Sequence, residues 1–254
     1  MKSESHFVNL KNPRELCSVL VDFMRPDVLI VWDIDDVLVC PVDQILRKSS
    51  RALLFSYIDP LKKAGEEYFA FFDSIIWTTT DEARVKGVFD VWQRCSESTA
   101  RQLALTSPPG GIYGCIKDLA QFRLQRIAEL GFDFSRDWED VGGFVLDRIG
   151  SHDKPACFYN GVLFGGTYGK GLILSEFLER HGQGVREVVF IDDKPENVDS
   201  VRSAMQNRGI SVCGIHYASE DLSGECPADE KWVEYQFHHL KENNIWLRDQ
   251  QKNQ

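Results

Sequence analysis

Two apolar runs in this chain each stop at a pair of acids: Val28-Leu29-Ile30-Val31-Trp32 runs into Asp33-Ile34-Asp35, and Val188-Val189-Phe190-Ile191 into Asp192-Asp193. Continuous apolar runs of this length, bounded by polar residues, are expected as strands buried on both faces, as in a parallel sheet. The acids then fall at the carboxyl ends of the strands, where open α/β sheets bind their ligands. Crowding carboxylates there costs of order several kcal/mol in repulsion and desolvation unless a cation or a bound group compensates. The natural compensator is a hard, oxygen-seeking divalent ion such as Mg2+.

A chain of 254 residues can bury a sizeable core, either as one large domain or as a core with a smaller insertion. The second is expected here. A formal net charge of -10 and a pI near 5.1 speak against nucleic acid or an anionic membrane as principal partner. Seven cysteines, at 17, 40, 95, 115, 157, 213 and 226, form no CxxC spacing, and reduced thiols are expected. The first twelve residues carry Lys2, Glu4, His6 and Lys11 without the apolar centre of a signal peptide, and no 18-residue apolar run follows. The expected location is the cytoplasm; a signal-free secretion route would leave the same marks.

Along the chain, Pro13 to Met24 is expected as a helix capped by Asn12. From Pro41 to about Phe89 runs an aromatic-rich helical stretch, with breaks at Pro60 and Gly65, expected as a cap inserted at residues 41–80. Gln102-Leu103-Ala104-Leu105-Thr106 is a further buried strand ending in hydroxyls, halted by Ser107-Pro108-Pro109-Gly110-Gly111. A helix up to Leu130 and Gly131 follows. Period-two patterning around Phe144-Val145-Leu146 and Cys157-Phe158-Tyr159, with Asn160-Gly161 before Val162, then predicts a small insertion at 133–164 carrying a β-hairpin. Gly169-Lys170-Gly171 opens a helix, the strand at 188–192 comes next, and a helix from Asn197 and a strand at 210–216 complete a βαβ unit. The fold class predicted is α/β: a doubly wound, Rossmann-like parallel sheet, built from residues 1–40, 81–132 and 165–254. Residues 230–254 read as a charged terminal helix docked by Trp232, Tyr235, His239 and Trp246.

A carboxylate at a strand end can attack phosphorus, and a second carboxylate two residues on, across the same turn, can serve as acid and base. Asp33 and Asp35 have that spacing. Either one alone would read as a helix cap or loop residue. Thr106 alone would be a turn residue, and Lys170 alone a solvated lysine.

Their order along the chain changes this. Asp33-Ile34-Asp35-Asp36-Val37-Leu38 resembles the first motif of the haloacid dehalogenase-like superfamily, DxDx(T/V). Thr106 resembles its second-motif hydroxyl, Lys170 its third-motif lysine, and Asp192-Asp193 followed by Asn197 its acidic fourth motif. The resemblance spans roughly residues 28–217. It implies Asp33 as nucleophile, Asp35 as general acid and base, and Thr106, Ser107 and Lys170 as phosphoryl contacts. It also implies Mg2+ held by Asp33, the main-chain carbonyl of Asp35 and one acid of the Asp192-Asp193 pair. Asp193 is favoured for that place, with Asp192 and Asn197 behind it. The segments Ala104-Leu105-Thr106-Ser107, Gly131-Phe132-Asp133-Phe134-Ser135, Asn160-Gly161-Val162-Leu163-Phe164 and Gly214-Ile215-His216-Tyr217 are similar to a bacterial subgroup of that superfamily, DUF2608, which has no assigned substrate. Pro108-Pro109-Gly110-Gly111 departs from the arginine usual after the second motif.

The expected activity is therefore that of a Mg2+-dependent phosphomonoester hydrolase working through an aspartyl-phosphate. Its substrate would be a small phosphometabolite or a phosphoprotein, including phosphotyrosine. A phosphotransferase differs only in the acceptor. A non-catalytic interaction protein on the same fold would show a broken motif, and none is broken. The bland readings are that Asp36 and Asn197 brace loops, that Cys40 and Cys115 are buried small hydrophobes, and that the histidines, His152 and His216 among them, are structural.

Overall fold

The structure is a computed structural model, and it describes residues 5–151, 154–166, 168–223 and 226–252; His152 lies outside them. Strands β1 (Ser5–Leu10), β2 (Val28–Trp32), β3 (Val39–Pro41), β4 (Glu82–Arg84) and β5 (Arg101–Thr106) occupy the first half, with helices α1 (Pro13–Leu20), α2 (Arg51–Ala64), α3 (Glu66–Thr79), α4 (Val88–Ser96) and α5 (Leu119–Glu129). The second half carries β6 (Phe144–Ser151), β7 (Lys154–Tyr159), β8 (Val162–Phe164), β9 (Glu187–Asp192) and β10 (Ser211–Tyr217), with α6 (Lys170–His181), α7 (Pro195–Gln206), the single turn α8 (Glu220–Ser223) and α9 (Glu230–Asn243).

Eight strands form one sheet in the order β1-β10-β9-β2-β5-β8-β7-β6. The pairs from β1 to β8 are parallel, while β7 runs antiparallel to both β8 and β6. Every residue of β2 is buried, as its unbroken apolar run requires of a central strand covered on both faces. Alternate side chains feed two cores. Val28, Ile30 and Trp32 pack with residues of α1, α4 and α5 on one face. Leu29 and Val31 pack with Ile173, Phe177, Val198 and Val201 of α6 and α7 on the other. This is the doubly wound α/β fold expected from the sequence.

A third apolar cluster joins Ile58 and Leu61 of α2 and Phe72 and Ile76 of α3 to Val233, Phe237 and Leu240 of α9 and to Trp246. The C-terminal helix, grouped with the core by the sequence pattern, thus buries its apolar face against the helical segment. Trp246 is the anchor, donating from Nε1 to Asp43 Oδ2 at 2.9 Å, whereas Tyr235 is exposed. Pro60 does not break the helix as expected; α2 runs through it and stops at Gly65, whose φ of 136° other residues avoid. Pro60 is on the exposed side, so solvent can satisfy the carbonyl its missing N–H abandons.

The Asn160-Gly161 hairpin joins β7 to β8 at positive φ on both residues, and the 133–164 segment supplies β8, β7 and β6, which extend the main sheet beyond β5. Strand β1, which the polar N-terminus gave no reason to expect, pairs with β10 at the opposite edge. None of the seven cysteines is joined in a disulfide; Cys40 is buried and Cys115 exposed, against the expectation that both are buried.

Candidate active site

The register of three central strands sets the site. Trp32 of β2 stands level with Ile191 of β9 and Ala104 of β5. Asp33, Asp192 and Thr106 therefore emerge together at the carboxyl edge of the sheet. The chain winds one way from β2 to β5 and β8, then returns to β9 on the other side, so the acids sit at a topological switch point. The turn after Asp33 closes through Leu38 and Val39 N–H groups donating to Ile34 O, with Asp36 at φ 62° in the left-handed region.

Lys170, at the first turn of α6, is buried and bridges two acids: Nζ lies 2.6 Å from Asp33 Oδ1 and 2.7 Å from Asp192 Oδ2. Burial opposes its charge, but Asp33 and Asp192 overrule it and raise the pKa above the ordinary lysine value. For Asp33 burial dominates in the other direction. Its carboxyl is raised well above the usual range, with Lys170 pulling it down and Asp192 and Asp35 adding to the rise. The helix carrying the lysine approaches α7 closely because the next residue is Gly171: a Cβ there would meet Ser200 O at 2.2 Å.

Asp35 is held from two sides. Thr106 Oγ1 donates to Oδ2 at 3.2 Å, and Arg123 Nη2 donates to Oδ1 at 2.7 Å. The Arg123 side chain is fully buried; its Nη1 donates to Glu82 Oε1 at 2.7 Å, and its guanidinium carbon lies 4.9 Å from the Trp77 ring centroid. Asp35 itself is about half exposed, its side chain retaining 46% of its accessible surface.

Asp192 is wrapped by donors. Besides Lys170, the Lys194 N–H donates to Oδ1 at 2.9 Å, and Asn197 Nδ2 donates to both oxygens at 3.0 and 3.2 Å. Asp193 instead pairs with Lys48, whose Nζ is 2.6 Å from Oδ2. Burial raises the Asp193 pKa, but the Lys48 hydrogen bond and charge outweigh it and the net shift is downward. Lys48 and Arg51 also reach Asp36, where burial nevertheless wins and pushes the pKa to about 6. His216 spans Asn9 Oδ1 at 2.8 Å and the Asp193 carbonyl at 3.2 Å.

Carboxylate oxygens of Asp33, Asp192 and Asp193 lie within 4.8 Å of one another. This all-oxygen set fits a hard divalent cation. Asp192 has both oxygens engaged by Lys170, Lys194 and Asn197, whereas no described residue donates to Asp33 Oδ2 or Asp193 Oδ1.

Asp33, Asp35, Thr106, Lys170, Asp192, Asp193 and Asn197 therefore meet in one cluster, while Ser107 is exposed and makes no side-chain hydrogen bond to any of them among the described residues. The cations Arg123 and Lys48 were not among the expected site residues. Arg123 had a signal, since it falls on the buried face of α5 with Leu119, Ala120 and Ile127, where an arginine must find partners. Lys48 had none.

The chain belongs to the family described as "Protein of unknown function (DUF2608)", whose model matches residues 11–253. Over 69 residues it is 35% identical to a Chlamydia pneumoniae protein named "Putative outer membrane protein"; the match covers 27% of this chain and 26% of that protein. Among solved structures, one titled "putative haloacid dehalogenase-like hydrolase", from Burkholderia xenovorans LB400, aligns with a TM-score of 0.31 at 12% identity, covering 74% of this chain and 83% of that one. That likeness is too remote to bear on the site. Among the described residues no helix is long and apolar enough to cross a membrane.

Proposed function

We propose that this protein is a divalent-metal-dependent phosphomonoester hydrolase. The observation that carries the reading is the pairing of two differently prepared carboxylates, Asp33 buried against Lys170 and Asp35 half exposed between Thr106 and Arg123. Asp33 is held in place by a buried lysine beside the other acids, as a nucleophile must be, while Asp35 is open to solvent and aimed by two donors, as a group that carries protons must be.

Asp33 Oδ1 accepts from Lys170 and from the Ile34 N–H at 2.8 Å, which leaves Oδ2 to attack. An Oδ2–P bond forms as the ester P–O bond breaks, and Asp35 gives its proton to the departing alkoxide. Asp35 then takes a proton from the water that attacks phosphorus, the Oδ2–P bond breaks, and phosphate leaves with Asp33 restored. Thr106 and Arg123 keep Asp35 aimed through both half-reactions. Lys170 balances the charge on Asp33 and the phosphoryl oxygens. Asp33, Asp193 and the Asp35 main-chain carbonyl would hold the cation, Mg2+ in the simplest case, with Asp192 orienting Lys170. Bound there, the ion would offset the phosphoryl charge.

The substrate is a phosphorylated small molecule or a phosphoprotein. Hydrolysis of p-nitrophenyl phosphate with and without Mg2+ tests the reading, and absence of metal-dependent turnover on any phosphate ester overturns it.

A further inference from the structure

A cavity of about 210 Å3 lies among α2, α3 and α5, and Asp35 stands in its wall. Its apolar lining comes from Leu54 of α2, Ile76 and Trp77 of α3, and Phe122 of α5. Asp73 adds a carboxylate to which Tyr113 donates its hydroxyl at 2.6 Å. The two arginines at its edge are spoken for: Arg123 by Asp35 and Glu82, Arg126 by the Thr80 carbonyl and Glu82.

A group that takes its proton from Asp35 must sit within hydrogen-bond reach of Asp35. The alcohol half of the ester is therefore on this wall. We propose, building on the hydrolase reading, that the cavity receives that alcohol half and that the substrate is the phosphate monoester of a compact, single-ring aromatic alcohol. Size argues first. An apolar cavity of about 150 Å3 admits a benzene ring, so one of 210 Å3 holds a ring with one or two substituents. Lining argues next. Sugar hydroxyls lying along Leu54, Ile76, Trp77 and Phe122 would lose water there, and only those that reach Asp73 or Glu82 would find acceptors. A ring finds Trp77 and Phe122 to pack on, and the indole is held in place by Arg123. Charge argues last. Asp73 and Glu82 stand where a second phosphate would have to go, and both arginines are already paired. A free aryl phosphate and a phosphotyrosyl side chain share this chemistry.

The test is kcat/KM of the Mg2+-loaded protein for benzyl, ethyl and glucose 6-phosphates. All three leave as primary alkoxides, so differences report the ring. Benzyl phosphate is expected to lead by about tenfold or more, and Leu54→Trp, which fills the cavity, to cut the benzyl-to-ethyl ratio by about tenfold. Turnover of all three esters within roughly threefold of one another, or a ratio that Leu54→Trp leaves unchanged, overturns the assignment while leaving the hydrolase reading intact. Free phosphotyrosine and a phosphotyrosyl peptide separate the two sources. A faster free amino acid points to a metabolite, a faster peptide to a phosphoprotein, and turnover of neither overturns the aryl assignment. If no ester is hydrolysed, the hydrolase reading fails. Calorimetry with benzylphosphonate against ethylphosphonate then decides the cavity: preferential benzyl binding that Leu54→Trp abolishes supports it, and equal or absent binding overturns it.

Discussion

Arg123, buried on the inner face of α5, donates to Asp35 across 2.7 Å while its other terminal nitrogen holds Glu82. The pair gives the proposed proton carrier a fixed orientation. Removing the arginine strands Glu82 more than Asp35, because the Glu82 side chain is only 12% exposed and Asp35 is screened by solvent. Arg123→Ala is expected to lower stability by about 3 kcal/mol. Arg123→Lys, which keeps the charge and loses the fork, should fold and lose about 100-fold in kcat on alkyl phosphates. Its loss on p-nitrophenyl phosphate should be much smaller, since that leaving group needs little protonation. Equal losses on both esters would contradict the positioning role.

Metal binding should be visible without turnover. A ligand held at 100 times its Kd stabilises by about 2.7 kcal/mol, which for a chain of this size is about 5–10 °C in Tm. Saturating Mg2+ is expected to raise Tm on that scale, and Asp193→Asn to remove most of the rise. A full rise in the variant would take Asp193 out of the donor set.

The close contact at the start of α6 gives a steric prediction. Gly171→Ala drives a Cβ against Ser200 O, a backbone atom that cannot swing away. The expected cost is about 1–3 kcal/mol, read as a fall in Tm, with reduced activity because Lys170 moves with the helix. A variant with wild-type Tm would contradict so close an approach of α6 to α7.

Asp43 couples the start of the helical segment to the C-terminal tail, accepting from Trp246 Nε1 and the Asp249 N–H, both at 2.9 Å. Burial raises its pKa above 3.8, although these hydrogen bonds pull the other way. The folded state therefore keeps this proton where the unfolded state has lost it, so Asp43 contributes stability that is lost as pH rises from about 4 through the folded value. In urea unfolding, wild type should gain on Asp43→Asn as pH is lowered towards 4. A difference that moves the other way would contradict the sign.

Much of this was legible in the sequence because the relevant signals are local. The apolar runs that define β2 and β9 end at Asp33 and Asp192, and a strand's direction fixes where its last residue emerges. Lys170 was legible only through its place in the order of motifs, after Asp33 and Thr106 and before Asp192, at the opening of a helix. What was missed depends on contacts across the chain. Arg123 meets Asp35 from 88 residues away, and Lys48 reaches Asp193 from a short helical turn with no periodicity of its own. Strand β1 follows the same rule: it takes strand form at the edge of the sheet by pairing with β10, with His6, Phe7 and Asn9 exposed and Leu10 buried. Docking of α9 on α2 and α3 was equally hidden, since an amphipathic helix shows that it has a partner and not which one.

Asp33 is the proposed nucleophile of a metal-dependent hydrolase. The most direct measurement is p-nitrophenol release from p-nitrophenyl phosphate by wild type and Asp33→Asn at matched purity, each with Mg2+ and with EDTA. The prediction is Mg2+-dependent release by wild type, abolished by EDTA and reduced about 1,000-fold or more in a variant that remains folded; release by Asp33→Asn at the wild-type rate would contradict it.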